Sequence, residues 1–484
     1  MRLDTPRPHP ARRRPQILAA IVAAATCLAT ACGGGGDEAG PLQAEAAAEQ
    51  AGVARHGDHS VRGIAPKVET PTERDPADMD DPAVWVHPDD PDDSLIVAAA
   101  KEGGLRVFDF KGRVVQRLPA EVDAEGEPLN RYNNVEVVYG FRLGRKRVDL
   151  AVATDRLRDR LKVWRLDEDY EHDDDHDEDD ADDLPLRDVT SPRMTRLFPT
   201  RPDPADLARG SVPNPDDGEN TAYGLAVYRD KASGRVYALV NQNDEAVIAQ
   251  YELVAEPDHT VSAKFVRDWR FPYAYKGQDL TQENEDDPAR DFSPQFEGMV
   301  VDQQTGVLYA GQEDVGIWRI DLRTGVAEDR PFYETRSFDP NSRIARDLEG
   351  LTIYYGADGS GYLLASSQGM AHGQPPTLPT PGLDDSFAVF ERQTPNRLLG
   401  SFRIEANRDK GIDGVQESDG SDVSNVPLPG FPFGVLITQD GYDGDVFDGS
   451  VEATNLKLTP WDAIARHFPG GPLKVDTRYD PRRP

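Results

Sequence analysis

The chain has 484 residues, 29% of them charged, with 54 basic against 87 acidic side chains and a formal net charge of −33. That acidity argues against nucleic acid and anionic membranes as direct partners. It fits either an exported protein kept soluble by charge or one that recruits cations, and the length allows one large domain or two to three ordinary ones.

At the N-terminus, Arg12, Arg13 and Arg14 precede an apolar run over residues 17–30 that is short for a membrane span. Small residues and Cys32 follow. Residues 1–32 therefore read as a signal peptide, and Ala29-Thr30-Ala31-Cys32 gives it a lipoprotein-type cleavage site. The expectation is a secreted protein, lipid-anchored through Cys32 at the outer face of the cell membrane and not otherwise inserted. The alternative is ordinary cleavage with Cys32 lost. Both cysteines, Cys27 and Cys32, lie in this segment. The mature fold is thus expected to have no disulfide, catalytic thiol or cysteine metal site. Residues 33–75 are rich in Gly, Ala, Glu and Pro without apolar periodicity and read as a disordered linker. Residues 168–183 are mostly Asp, Glu and His. A solvated acidic loop is the simple reading there, with His172 and His176 as weak metal donors at most.

From Asp80 onward one pattern recurs: a polar or acidic residue opens a short apolar strand. The copies are Asp80-Asp81-Pro82-Ala83-Val84-Trp85, Asn133-Asn134-Val135, Tyr223-Gly224-Leu225, Glu297-Gly298-Met299, Glu349-Gly350-Leu351 and Asp413-Gly414-Val415. About 10–20 residues later comes a second strand, a polar loop and a third strand, which is hairpin spacing. Six such units in series predict an all-β, six-bladed β-propeller over residues 76–470, with one short helical turn from Trp461 to His467 and a C-terminal tail over 471–484. Two stacked β-sandwiches are the alternative, but they leave the recurring polar position unexplained.

In a propeller the start of each first strand and the end of each second strand face the same channel mouth. Asp81, Asn134, Tyr223, Glu297, Glu349 and Asp413 then meet Lys101, Arg156, the 241–245 loop, Glu313, Gln368, Gln439 and Asp440. With Asp347, Asp419 and Asp422 this crowds one rim with carboxylates, which raise one another's pKa values unless cations intervene. Polar residues line any wet channel, so the density of acids is what points to metal. The donors are all oxygens, which selects Ca²⁺ or Mg²⁺ over Zn²⁺, and the mixed donor set suits several Ca²⁺ ions better. Lys101, Arg156 and Tyr223 add donors for a polyanion, phosphate above all.

These motifs, together with Asp347-Leu348-Glu349-Gly350-Leu351-Thr352-Ile353-Tyr354 and Leu363-Leu364-Ala365-Ser366-Ser367-Gln368-Gly369, resemble the β-propeller phytases, the alkaline, calcium-dependent 3-phytase family, in order from about Asp80 to Ala463. The resemblance implies a monomer acting on calcium phytate, with calcium-activated water attacking phosphorus. It implies that Glu297, Glu313, Asp347, Glu349 and Asp413 hold the catalytic calcium ions. Asp81, with the backbone carbonyls of Pro82 and Val135, would hold a structural one. Gln368, Asp419, Gln439 and Asp440 would supply further ligands, and Lys101, Arg156 and Tyr223 would bind phosphate. The sequence departs from the family in lacking a lysine in the 241–245 loop, for which Lys276 or Arg290 are the candidate substitutes, and in additions at 168–183 and 374–382. Two other readings remain at this stage: a non-catalytic calcium-stabilised propeller that binds a polyanion, and a propeller lactonase or phosphodiesterase.

Overall fold

Six antiparallel sheets follow one another along the chain, each starting at a central channel and running outward. The computed structural model describes residues 61–170, 184–199, 219–282, 291–368, 383, 385–444 and 453–483. The signal segment with Cys32, His172, His176, Arg290 and the 374–382 loop lie outside the described residues.

Blade 1 comprises Pro82–Trp85, Leu95–Ala99, Leu105–Phe108 and Val114–Leu118; blade 2 comprises Tyr132–Leu143, Lys146–Asp155, Arg160–Leu166 and Leu186–Asp188. Blade 3 is Ala222–Arg229, Val236–Gln242, Val247–Ala255 and Val261–Arg270; blade 4 is Phe296–Asp302, Val307–Gln312, Gly316–Asp321 and Val326–Ala327. Blade 5 runs Leu348–Tyr355, Gly361–Ser367, Ser386–Glu391 and Leu398–Ile404, and blade 6 runs Ser421–Ser424, Val435–Asp440 and Ala453–Pro460. The six inner strands touch in a closed ring, blade 6 against blade 1.

The core is divided rather than central. Each of six apolar clusters is shared by two consecutive blades, as where Trp85 and Val97 of blade 1 meet Trp164 and Val137 of blade 2. Covered on both faces, the second strands read as continuous apolar runs; every residue of Leu95–Ala99 is buried. Helix α1 (Trp461–His467) forms where the sequence predicts it, and its Trp461 stacks on Tyr354 at 3.9 Å.

The recurrent glycine has a steric cause. A Cβ on Gly224 would lie 2.1 Å from the Glu297 carbonyl, one on Gly298 2.0 Å from the Glu349 carbonyl, and one on Gly350 2.7 Å from the Asp419 carbonyl. Each glycine lets the next inner strand close on its neighbour, just after the polar residue (Tyr223, Glu297 or Glu349) that opens the strand.

Two expectations need correcting. The linker does not extend to residue 75. Arg62–Ile64 adds in parallel to the outer strand of blade 5, and Val68–Glu69 and Glu73–Arg74 pair with Ala453–Pro460 of blade 6. These strands of two or three residues close the ring through main-chain bonds, such as Lys67 N–H to the Leu458 carbonyl (2.8 Å), and carry no periodicity to read. Nor does blade 6 begin at Asp413. Its inner strand is Ser421–Ser424, so Asp419-Gly420 occupies the recurring position, and a Cβ on Gly420 would strike Asp81.

Candidate active site

At the mouth where the inner strands begin, a polar cavity of about 240 Å³ is lined by Asp80, Glu297, Glu313, Asp347, Glu349, Glu417 and Asp419, together with Lys101, Arg131, Asn133, Tyr223, Gln295 and Gln368. Seven carboxylates thus face two cations. A second, more apolar pocket in the channel, of about 150 Å³, is lined by the lower halves of the inner strands and by Tyr479, and it carries little of this chemistry.

The centre is the trio Glu297, Glu313 and Glu349, all buried, each offering one carboxylate oxygen within 4.8 Å of the others. Strand geometry brings them together. Glu297 and Glu349 lie near the starts of neighbouring inner strands, and Glu313 follows the second strand of blade 4. Two of the three are oriented by hydrogen bonds. Tyr223 Oη donates to Glu297 at 2.7 Å and Asn133 Nδ2 donates to its other oxygen at 2.8 Å. Gln295 Nε2 donates to both oxygens of Glu313, at 2.7 and 2.9 Å. The Oε2 of Glu349 is buried without any hydrogen-bond partner. An orphaned carboxylate oxygen facing two more carboxylates is the arrangement a cation would complete.

The electrostatics agree. Burial, followed by repulsion from the neighbouring acids, pushes Glu349 and Glu313 well above the usual carboxylate range. Burial also lifts Asp80 well up, although Lys101 opposes it, and raises Asp419 to about 7 and Glu417 to about 8. Burial disfavours the Lys101 ammonium, but Asp78, Asp419 and Asp80 outweigh it and keep it charged, at 2.7, 3.4 and 3.7 Å. Lys101, Asp347 and Glu417, all lining the cavity, have positive φ (40°, 65° and 46°).

The structure thus gathers Glu297, Glu313, Asp347, Glu349, Gln368, Asp419, Lys101 and Tyr223 around one cavity. Gln368 donates to Asp419 at 2.5 Å, and Gln439 Oε1 accepts from the Asp419 amide at 2.8 Å, one layer behind. Asp81 lies next to the cavity, partly buried and accepting from the Val135 amide at 3.2 Å; Pro82 and Val135 flank it on adjacent inner strands. Arg156 does not line the cavity. It stacks on the Tyr223 ring at 4.7 Å and donates to Asn133 and Asn243.

Asp413 and Asp440 lie elsewhere. Both surround the ammonium of Lys457, which is fully buried, at 2.5 and 2.7 Å, with Glu69 as a third partner. Asp413, expected at the rim with the catalytic acids, thus stands beside a lysine and not among the residues lining the cavity. Lys276 is not among the residues lining the cavity; it pairs with Glu334 at 2.6 Å. Sequence reading missed Arg131, Asn133, Gln295 and Glu417. Asn133 opens the Asn-Asn motif, Arg131 stands two before it and Gln295 two before Glu297, so position in or beside a motif was the available signal.

A family model described as Phytase matches residues 39–177 and 212–484. A protein of Bacillus subtilis (strain 168) described as 3-phytase is 28% identical over 425 residues, covering 86% of this chain and 89% of that protein.

Proposed function

The chain belongs to the phytase family, a hydrolase family, and from that premise we propose that it is a secreted, calcium-dependent phosphomonoesterase of myo-inositol hexakisphosphate, taken as its calcium complex. The observation that carries the calcium reading is the buried Glu297–Glu313–Glu349 trio with its orphaned oxygen. Glu297, Glu313, Glu349 and Asp347 would hold the ions, with Asp419 and Gln368 completing the rim. Calcium, when bound, supplies positive charge towards phosphoryl oxygens and lowers the pKa of water.

The protein's own contribution is orientation and charge. Tyr223 and Asn133 fix Glu297, and Gln295 fixes Glu313, so the donor oxygens are arranged before substrate arrives. Lys101 is held over the cavity by acids that a polyanion would compete with, and its ammonium neutralises charge that spreads onto transferring phosphoryl oxygens. Among the described residues no Ser, Cys or His lines the cavity, and direct attack by water needs none. Export follows the signal-like N-terminus; lipid attachment at Cys32 rests on the cleavage-site pattern alone. Among the described residues no helix is long and apolar enough to cross a membrane.

The test is phosphate release from calcium phytate, with and without chelator. Release in calcium, loss of release in EDTA and a lower melting temperature in EDTA are expected. Full activity in chelator would refute the calcium dependence.

A further inference from the structure

Among the described residues, the cavity holds a cation that the sequence reading did not offer in place of the lysine missing from the 241–245 loop. Arg131 lines the cavity beside Lys101 and Tyr223. Its place is set by main-chain pairing: the Tyr132 amide donates to the Lys101 carbonyl at 3.2 Å, and the Arg156 amide donates to the Arg131 carbonyl at 2.9 Å. Lys101, Arg131 and Arg156 therefore stand side by side on one hydrogen-bonded edge, with Arg131 in the middle. Of the two guanidinium groups, Arg156 is stacked on Tyr223 outside the cavity wall and Arg131 is in it.

The hydrogen-bonding state of Arg131 points to a ligand. One terminal nitrogen donates to Glu102 at 2.7 Å, in a pair whose side chains are 21% and 20% exposed. The Nε–H is buried and has no partner. A guanidinium offers five donors in a planar fork suited to two phosphate oxygens, and a buried donor left unmade is costly. Glu102, which does not line the cavity, is a partly exposed competitor for the same group. We propose that Arg131 is a phosphate-binding residue of this site, held in readiness by Glu102 and released to the phosphate of an arriving inositol polyphosphate. This rests on the phytase reading and names a residue for its substrate recognition. It also accounts for how the site binds a polyanion with one lysine fewer.

The test compares two variants whose effects the proposal sets in opposite directions. Arg131→Gln should weaken binding of inorganic phosphate to the calcium-loaded protein, read by calorimetry, and raise KM for calcium phytate, by roughly tenfold or more for a lost charge-assisted bond. Glu102→Gln frees the guanidinium and should tighten phosphate binding and lower KM severalfold. Arg131→Lys should recover part of the loss, because it keeps the charge without the fork. If Arg131 and Glu102 form only a structural ion pair, both Gln variants weaken binding together or neither changes it, and either result overturns the proposal. Should Arg131→Gln fail to fold, the sign of the Glu102→Gln effect decides. If the wild-type protein releases no phosphate from calcium phytate, the phytase reading fails, while the phosphate titration still judges Arg131.

Discussion

Replacing Arg346 by Met should cost about as much as any single substitution near the site, without touching the cavity. Arg346 immediately precedes Asp347, and Asp314 immediately follows Glu313. Their side chains form an ion pair at 2.8 Å, 7% and 2% exposed, under the ring of Phe292 (4.7 Å) and with a further bond from Arg346 to the Asp291 carbonyl. The pair ties the segments carrying two cavity acids to each other. Met leaves the Asp314 carboxylate buried without its counter-charge, accepting from the Ser293 amide (2.7 Å), and removing one partner of a buried pair costs about 3–5 kcal/mol. The unfolding entropy of 484 residues is at most about 1 kcal/mol/K, so the melting temperature should fall by about 3–5 °C or more. Thermal melts in EDTA measure this directly. In calcium the loss should be larger, because Glu313 and Asp347 are no longer held in register. The double variant Asp314→Asn/Arg346→Met removes the stranded charge and should recover a large part of the loss. A fall below about 1 °C, or a double variant no more stable than Arg346→Met, would refute the argument.

Asp159 gives a pH test away from the cavity. Burial lifts its carboxyl to about 6 against the bonds from the Phe198 and Ala222 amides and from Arg196 that favour its charge. Its folded pKa exceeds its unfolded one, so its contribution to stability is complete below about pH 4 and is lost as pH rises through about 6. Denaturation of the wild type minus Asp159→Asn should show that slope between pH 4 and 6, on the order of 3 kcal/mol in total; parallel curves would refute it. Truncation after Leu473 should lower the melting temperature by at least about 3 °C while leaving phosphate release at room temperature intact. The removed tail stacks Tyr479 on Tyr355 (4.1 Å) and pairs Arg482 with buried Asp149 (2.6 Å), both at the end of the channel opposite the cavity. An unchanged melting temperature would show that the tail is not a clasp.

The propeller was readable because its cause is repeated. Four of the six blades need a close approach at the start of the inner strand, at Gly224, Gly298, Gly350 and Gly420, and where an acid precedes the glycine, as in Glu297-Gly298 and Glu349-Gly350, the cavity acid and the steric requirement share one dipeptide. That same economy misled the reading of blade 6, which offers both Asp413-Gly414 and Asp419-Gly420. Local pattern cannot choose between them. The choice is made by groups far away in sequence: Asp81 leaves room for nothing larger than Gly420, and Lys457 captures Asp413 from the blade's third strand. Arg131 was invisible for a related reason. Alone it is one arginine beside a motif, and only the pairing of residues 101, 132 and 156 reveals that it lies between two other cations. Charge type and spacing can name the carboxylates that gather at a rim. Which of them face only other acids depends on whether a lysine or arginine has reached them, and at this site that separates Glu349, among Glu297, Glu313 and Asp347, from Asp413, beside Lys457.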